Sequence, residues 1–196
     1  MNYDPFVDRL LAQIPPVGGA FTFRSWRHGD RPTNEGVGVL PVPGVPVDKM
    51  VARVMDVDHY RGNVDYVDEC RTVPDAKWSP PASVRFYQRV KLPVLGSVHH
   101  ELVLQDLGEK SGWRVLAWHM DEPGTARLDD KQGARSEYNV GAWLVRPDAV
   151  GYALSSAPRR DDVGRLKFAA LTKGADAGAG KVVQANIEGM LRWARR

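Results

Sequence analysis

Apolar residues recur at helical spacing in three segments of the chain. Phe6, Leu10 and Ile14 share one face of a short N-terminal segment that Pro15 and Pro16 end. A second amphipathic segment covers residues 46–60, and a third carries an apolar stripe over three turns near the C-terminus. The pattern predicts three helices, the last of them over about 176–195. The stripe of that helix consists of Val183, Ile187, Met190, Leu191 and Ala194.

Alternation of apolar and polar positions predicts strands in most of the remaining chain. It is clearest at 83–92, where Val84, Phe86 and Val90 alternate with charged and polar side chains. Glycine at each end of the segment 108–112 predicts a five-residue hairpin loop. Strands are therefore expected at 21–27, 36–42, 63–73, 83–92, 97–107, 113–120, 134–147 and 149–158.

The order of these elements predicts an α+β fold. Consecutive strands joined by short turns indicate an antiparallel meander rather than β-α-β units. A curved antiparallel sheet wrapped around the long C-terminal helix closes one core and leaves room for a cavity. A chain of 196 residues buries about 70% of its surface on folding, which suits one domain. We expect a single domain over 1–196, with 1–32 as an N-terminal extension and 33–196 as the sheet and helix.

The composition and net charge of the chain exclude several classes of protein and binding partner. Hydrophobic residues make up 43% and charged residues 26% of the chain, which is typical of a globular protein. The net charge of +3 is too small to indicate a nucleic-acid partner. Cys70 is the single cysteine, so a disulfide framework and a cysteine-based metal site are excluded. With no signal-peptide pattern and no apolar stretch approaching ~18 residues, we expect a cytoplasmic protein.

The hairpin of strands 97–107 and 113–120 allows an assignment of side chains to the two faces of the sheet. If Leu107 pairs with Trp113, the numbers of paired residues sum to 220, and alternate residues share a face. One face is then far more apolar than the other and is expected to be concave. The inward set is Phe86, Gln88, Val90, His100, Leu102, Leu104, Leu116, Trp118, Met120, Tyr138, Val140 and Leu144, closed by Val183, Ile187 and Met190 of the last helix.

Gln88 and His100 are polar residues within this apolar set. Buried polar groups need hydrogen-bond partners, so these two either orient a ligand's polar group or bond to each other or to water. Neighbouring residues on a strand point to opposite faces, so His99 and His100 cannot chelate one ion. Glu101 and His119 fall on the outer face, where a salt bridge is expected. We predict no metal and no cofactor, since no third ligand and no nucleophile-elbow, dinucleotide or P-loop motif is present.

Four segments resemble the START-like superfamily, also described as the polyketide cyclase and lipid-transport group. They are VPVDKMVARVMDVDHYRGNVDYVDECRTV (45–73), VRFYQRVKLPVLGSVHHELVLQDL (84–107), GAWLVRPDAVGYALSSAP (141–158) and KVVQANIEGMLRWARR (181–196). They resemble the family's early helix, its central hairpin, its late hairpin and its C-terminal helix. The resemblance covers residues 33–196 and implies the helix-grip fold, with a deep and mainly apolar cavity between sheet and helix.

The resemblance implies binding, and possible transport, of a hydrophobic small molecule such as a lipid or sterol, without catalysis. The alternative is a polyketide cyclase or aromatase acting in the same cavity. Basic pairs such as Arg159–Arg160 and Arg195–Arg196 either complement helix charge or contact anionic headgroups transiently at a membrane surface. The expected ligand-binding residues are Phe86, Gln88, His100, Leu102, Leu104, Leu116, Trp118, Met120, Tyr138, Ile187 and Met190.

Overall fold

A computed structural model describes residues 4–92 and 96–196, with side chains at all of these except 4, 92 and 170–177. The strands are β1 (Thr22–Trp26), β2 (Glu35–Pro41), β3 (Val67–Thr72), β4 (Ser83–Leu92), β5 (Gly96–Lys110), β6 (Trp113–Met120), β7 (Ala134–Arg146) and β8 (Ala149–Pro158). The α-helices are α1 (Asp4–Gln13), α2 (Val47–Met55), α3 (Glu122–Ala126), α4 (Arg160–Val163) and α5 (Arg165–Ala194). No helix within the described residues combines the length and apolar content needed to cross a bilayer.

The eight strands form one sheet in the order β1-β2-β8-β7-β6-β5-β4-β3, and every neighbouring pair in that order is antiparallel. The sheet curves around α5, which confirms the predicted α+β architecture. Beyond the end of β6, β7 also makes a short parallel contact with β5, where Val98 pairs with Ala134. This extra contact joins two strands that β6 separates elsewhere and closes one end of the sheet.

The central hairpin differs from the prediction in register but not in face. Leu104 pairs with Trp118, so residue numbers sum to 222 rather than 220. The prediction of a five-residue loop is wrong. β5 extends to Lys110 and β6 begins at Trp113, so only Ser111 and Gly112 lie between the two strands. Both of these residues have positive φ angles, as tight hairpin turns require. A shift by an even number moves each partner along the strand without turning its side chain over.

The helix boundaries also differ from the predicted ones. The early helix ends at Met55, and residues 57–59 form a separate 3₁₀ turn. The C-terminal helix begins at Arg165, well before residue 176, so the small-residue segment 174–180 lies within it. Helical packing of the later turns against the sheet stabilises this long helix despite its glycines.

The concave face of the sheet packs against the apolar stripe of α5. Ile187 and Met190 have no exposed surface, and the predicted stripe is buried along its length. Helix and sheet approach each other closely at Gly38 of β2, where an added Cβ would lie 2.5 Å from a methyl carbon of Val183. A larger residue there would push the helix off the sheet, so glycine sets the spacing of the two layers.

A second apolar core covers the convex face of the sheet. Phe6, Val7 and Leu10 of α1 are buried against it. The strand residues beneath them include Val37 and Leu144, both fully buried. Because both faces of the central strands are covered, these strands are apolar on both sides.

Glu35 ties the N-terminal elements to the sheet. This carboxylate is fully buried. It accepts hydrogen bonds from the guanidinium of Arg9 in α1 at 2.7 Å, from the indole N–H of Trp26 at 2.9 Å and from Arg31 at 3.3 Å. A buried carboxylate is tolerated only when it is paired and hydrogen-bonded, so each of these donors holds its own segment in place.

Gly141 of β7 lies directly beneath the Trp118 ring, and an added Cβ would collide with that ring and with the carbonyl of Ala153. We expect Gly141→Ala to lower the free energy of unfolding by about 3 kcal/mol, since overpacking against backbone cannot relax easily. Chemical denaturation measures the loss.

Gly178 of α5 provides the matched control, because a Cβ there meets nothing within 4 Å. Gly178→Ala is expected to stabilise the protein by about 0.5–1 kcal/mol through helix propensity. Equal effects of the two substitutions would contradict the close contact at Gly141.

Candidate ligand-binding site

A cavity of about 120 Å³ lies between the concave face and α5. It sits toward the closed end of the sheet, where β5 meets both β4 and β7. Six strands, the loop before β3 and one helix contribute to its wall. The lining residues are Val64, Asp65, Tyr66, Val67, Gln88, Val90, Val98, His100, Trp118, Ser136, Asn139, Tyr152, Leu154, Ser156, Ala157, Pro158, Val182 and Asn186.

The size of the cavity limits what it encloses. An apolar protein cavity of about 150 Å³ holds benzene, so this one encloses about one six-membered ring. Drug-sized ligands occupy about 300–1,000 Å³. The remaining space between sheet and helix is filled by side chains of the concave core. A larger ligand would therefore have only one end enclosed here.

One wall of the cavity is polar and is centred on His100. Its Nε2 lies 3.1 Å from Oε1 of Gln88, and its Nδ1 lies 2.9 Å from the Ser136 hydroxyl. The side-chain nitrogen of Asn139 lies 3.4 Å from Nε2. We refer to Gln88, His100, Ser136, Asn139 and Asn186 as the polar cluster.

The hydrogen bonds of His100 fix its protonation. Because Oε1 of Gln88 is an acceptor, Nε2–H donates to it, and Nδ1 then accepts from the Ser136 hydroxyl. Burial, with a smaller contribution from the neighbouring His99, lowers the pKa of His100 to about 3. The imidazole is therefore neutral at physiological pH. The hydrogen bond between Gln88 and His100, which the sequence left open as one interpretation, is present.

Aromatic rings form the apolar side of the cavity. The indole N–H of Trp118 donates to Oδ1 of Asn139 at 2.8 Å, which holds ring and amide together. Tyr152 packs against Trp118 with ring centroids 5.4 Å apart, and burial raises its pKa well above the usual range. Asp65 and Tyr66 are exposed and form the rim of the cavity.

The predicted inward residues divide into three groups. Gln88, Val90, His100 and Trp118 line the cavity. A second group belongs to the packed concave core, where its members have little or no exposed surface and contact neighbouring side chains instead, and a third group lies on the convex side of the sheet. These core residues are Phe86, Leu102, Leu104, Leu116, Met120, Val183, Ile187 and Met190.

Tyr138 lies on the convex face, so its expected place in the concave set is wrong. Its hydroxyl bonds to the Thr33 side chain, and Arg31 lies over its ring at 4.9 Å. Val140 and Leu144 are likewise in the convex core. The concave positions of β7 are instead Asn139, Gly141 and Trp143, which follow from the pairing of Gly141 with Trp118.

A β-bulge between Ser136 and Tyr138 explains why sequence reasoning missed part of the polar cluster. Without it, these two residues would share a face; with it, the Ser136 hydroxyl turns inward while Tyr138 stays outside. Asn186 was also missed, although it lies three residues after Val183 and one before Ile187 on the buried side of α5. Its position next to the apolar stripe of α5 is the sequence feature that could have predicted its burial.

The outer face of the central hairpin carries an ion network rather than the expected Glu101–His119 pair. Arg85 contacts Glu101 at 2.6 Å, Asp121 at 2.7 Å and Asp75 at 2.9 Å. His119 instead packs edge-on to Trp78, with ring centroids 6.3 Å apart. In the described part of the chain, no three His, Cys, Asp or Glu side chains converge as metal ligands would.

The fold is shared with solved structures of low sequence identity. A STAR-related lipid transfer protein from Xanthomonas axonopodis is 12% identical with a TM-score of 0.71, over 93% of this chain and 97% of that one. Human STARD10 is 12% identical with a TM-score of 0.72, over 100% of this chain and 81% of that one. The Zhui aromatase/cyclase of a Streptomyces species is 14% identical with a TM-score of 0.51, over 89% and 95%.

No protein-family model matches the sequence, and no curated protein matches it either. The structural similarity therefore establishes the architecture. The chain has the START-like helix-grip fold, as the sequence resemblance implied.

Buried histidines make stability depend on pH. Burial lowers the pKa of His100 to about 3 and that of His119 to about 4, and it also lowers the pKa of His99. The histidines of the unfolded chain have pKa values near 6.5. At pH values below 6.5 and above the lowered pKa values, the unfolded chain therefore binds more protons than the folded chain. We expect the free energy of unfolding to fall as pH drops from 6.5 toward 4, by up to about 1.4 kcal/mol per pH unit for each histidine.

Urea denaturation at several pH values measures this slope. His100→Gln should remove one histidine's share of it. The control is the exposed His59, whose pKa is raised by its hydrogen bond to Asp56. His59 favours the folded state as pH falls, so His59→Gln should leave the slope unchanged or steeper. A slope identical in the native protein and His100→Gln would contradict the buried, neutral state of His100.

Proposed function

We propose that this protein binds a hydrophobic small molecule, such as a lipid or sterol, with one end of the ligand in the cavity beside Trp118. The observation that carries the proposal is the cavity between the curved sheet and α5, walled on one side by aromatic and aliphatic side chains. The similarity to a STAR-related lipid transfer protein supports it at the level of the fold. A bound apolar group gains about 25 cal/mol per Å² removed from water.

The ligand would leave the cavity past Asp65 and Tyr66, because the opposite end of the space is filled by the concave core. Tyr66 has a φ of 65°, which is unusual for a residue with a side chain. Its carbonyl accepts a hydrogen bond from the backbone N–H of Lys91, which anchors the rim to β4.

The alternative function is a cyclase- or aromatase-like enzyme. The hydrogen bond between the Ser136 hydroxyl and Nδ1 of His100 is the observation that favours it, since such a pair can exchange a proton with a substrate. A general base works best when its pKa lies near the operating pH. With a pKa of about 3, His100 is a weak base, and we therefore favour binding over catalysis.

Filling the cavity should abolish binding. Ser156 pairs with Asn139 across β7 and β8, so its side chain shares the concave face. In Ser156→Phe the ring would occupy the enclosed space. We expect native mass spectrometry to find a small apolar molecule on the purified native protein, and to find it reduced at least tenfold on Ser156→Phe.

Ser25→Phe is the control, because Ser25 lies exposed on the edge strand β1. It should retain the ligand. Circular dichroism checks that both variants fold. Equal ligand content in the two variants would place the ligand outside this cavity, whereas turnover of a polyketide that disappears in His100→Ala would favour the enzyme.

Transient contact with an anionic membrane is the second part of the proposal. Leu166, at the start of α5, is 90% exposed between Arg165 and Lys167. Of the acidic residues just before it, Asp162 is already paired with Arg135. An exposed apolar side chain flanked by cations is suited to the headgroup region of anionic lipids.

Leu166→Glu is expected to reduce co-sedimentation with phosphatidylserine-containing vesicles about tenfold, since burial of one leucine is worth about 1.5–3 kcal/mol. Ala126→Glu, which places the same charge at an exposed position at the end of α3, is the control. Binding that is unaffected by Leu166→Glu would contradict the assignment of this surface.

A further inference from the structure

The polar cluster contains an acceptor that lacks a donor. Oδ1 of Asn186 is buried, and no described residue donates a hydrogen bond to it. The residue is only 6% exposed and lines the cavity from the helix side. A buried acceptor left unpaired carries a substantial desolvation cost, and native structures rarely leave one in that state.

The other members of the cluster have their own partners. Oε1 of Gln88 accepts from Nε2–H of His100, and Nδ1 of His100 accepts from the Ser136 hydroxyl. Oδ1 of Asn139 accepts from the Trp118 indole. These bonds fix the orientation of the cluster and leave Oδ1 of Asn186, a residue that lines the cavity, as a buried acceptor without a described donor.

Charge is excluded from the enclosed end of the cavity. Among the described residues that line it, none is Lys or Arg. His100 is neutral, and the acidic Asp65 lies at the exposed rim rather than inside. A carboxylate, a phosphate or an ammonium group placed beside Asn186 would lose its hydration without gaining an ion partner.

We propose that the enclosed end binds an uncharged alcohol or phenol group, whose O–H donates to Oδ1 of Asn186. This rests on the proposed function and specifies the chemistry of the ligand end that enters the cavity. The ring or chain that carries the hydroxyl packs against Trp118 and Tyr152. The cavity volume of about 120 Å³ fits a hydroxyl on one ring.

Four small probes test the chemistry of this end on the unaltered chain: phenol, toluene, benzoate and benzylammonium. Phenol and toluene are matched in size and differ in the O–H donor. Titrations followed by Trp fluorescence, with calorimetry as a second readout, should show toluene binding about tenfold more weakly than phenol, the effect of one hydrogen bond. Benzoate and benzylammonium should not bind at detectable levels.

Asn186→Leu removes the acceptor while keeping a helix-forming residue of similar size. In this variant the preference for phenol over toluene should disappear or reverse. Gln184→Leu is the matched control, because Gln184 bonds to Glu188 along the helix rather than lining the cavity. It should keep the preference of the native chain.

The outcomes separate this inference from the proposed function. Equal binding of phenol and toluene to the native chain would overturn the hydroxyl assignment and leave the apolar cavity in place. Tight binding of benzoate or benzylammonium would overturn it in favour of a charged ligand. If none of the four probes binds and Ser156→Phe retains the co-purifying molecule, both the hydroxyl assignment and the cavity itself are wrong as the binding site.

Discussion

The packing of the α5 stripe against the concave face of the sheet is the interaction on which the rest of the structure depends. Ile187 and Met190 are fully buried there, and each such side chain contributes roughly 1.5–3 kcal/mol by leaving water. Gly38 lets the helix approach at Val183. This contact between helix and sheet stabilises the fold. It also fixes the distance between α5 and the sheet, and therefore the size of the cavity between them.

Much of this architecture could be predicted from local patterns. The alternation in residues 83–92 predicted β4 with its observed bounds, and the stripe from Val183 to Ala194 predicted the buried side of α5. The hairpin error of two residues did no harm to the assignment of faces, because side chains on a strand repeat every two residues. The turn itself was misjudged because glycines at 108 and 112 suggested a longer loop than the two positive-φ residues require.

The site was harder to predict than the fold, for two physical reasons. On β7 both faces are covered, so Val140 and Trp143 are equally apolar and alternation carries no information about direction. The bulge that turns Ser136 inward changes the phase of the strand at one point, without a marker such as glycine. Whether an inward side chain is packed on all sides or borders a cavity depends on all of its neighbours in space. The sequence therefore could not show that Leu102 belongs to the packed core while Trp118 lines the cavity.

The hydrogen bonds to Glu35 and the packing of α1 on the convex face also determine whether the N-terminal residues can be removed from this domain. An extension that packs by chance could be trimmed, but here α1, β1 and the Arg31 loop each donate to one buried carboxylate. In a chain beginning at residue 33, the buried carboxylate of Glu35 would lose these three donors. The convex face of the sheet would lose the cover of α1, and β2 would become an unpaired edge strand. We therefore expect such a fragment to self-associate through that edge and that face, which β1 and α1 cover in the intact chain.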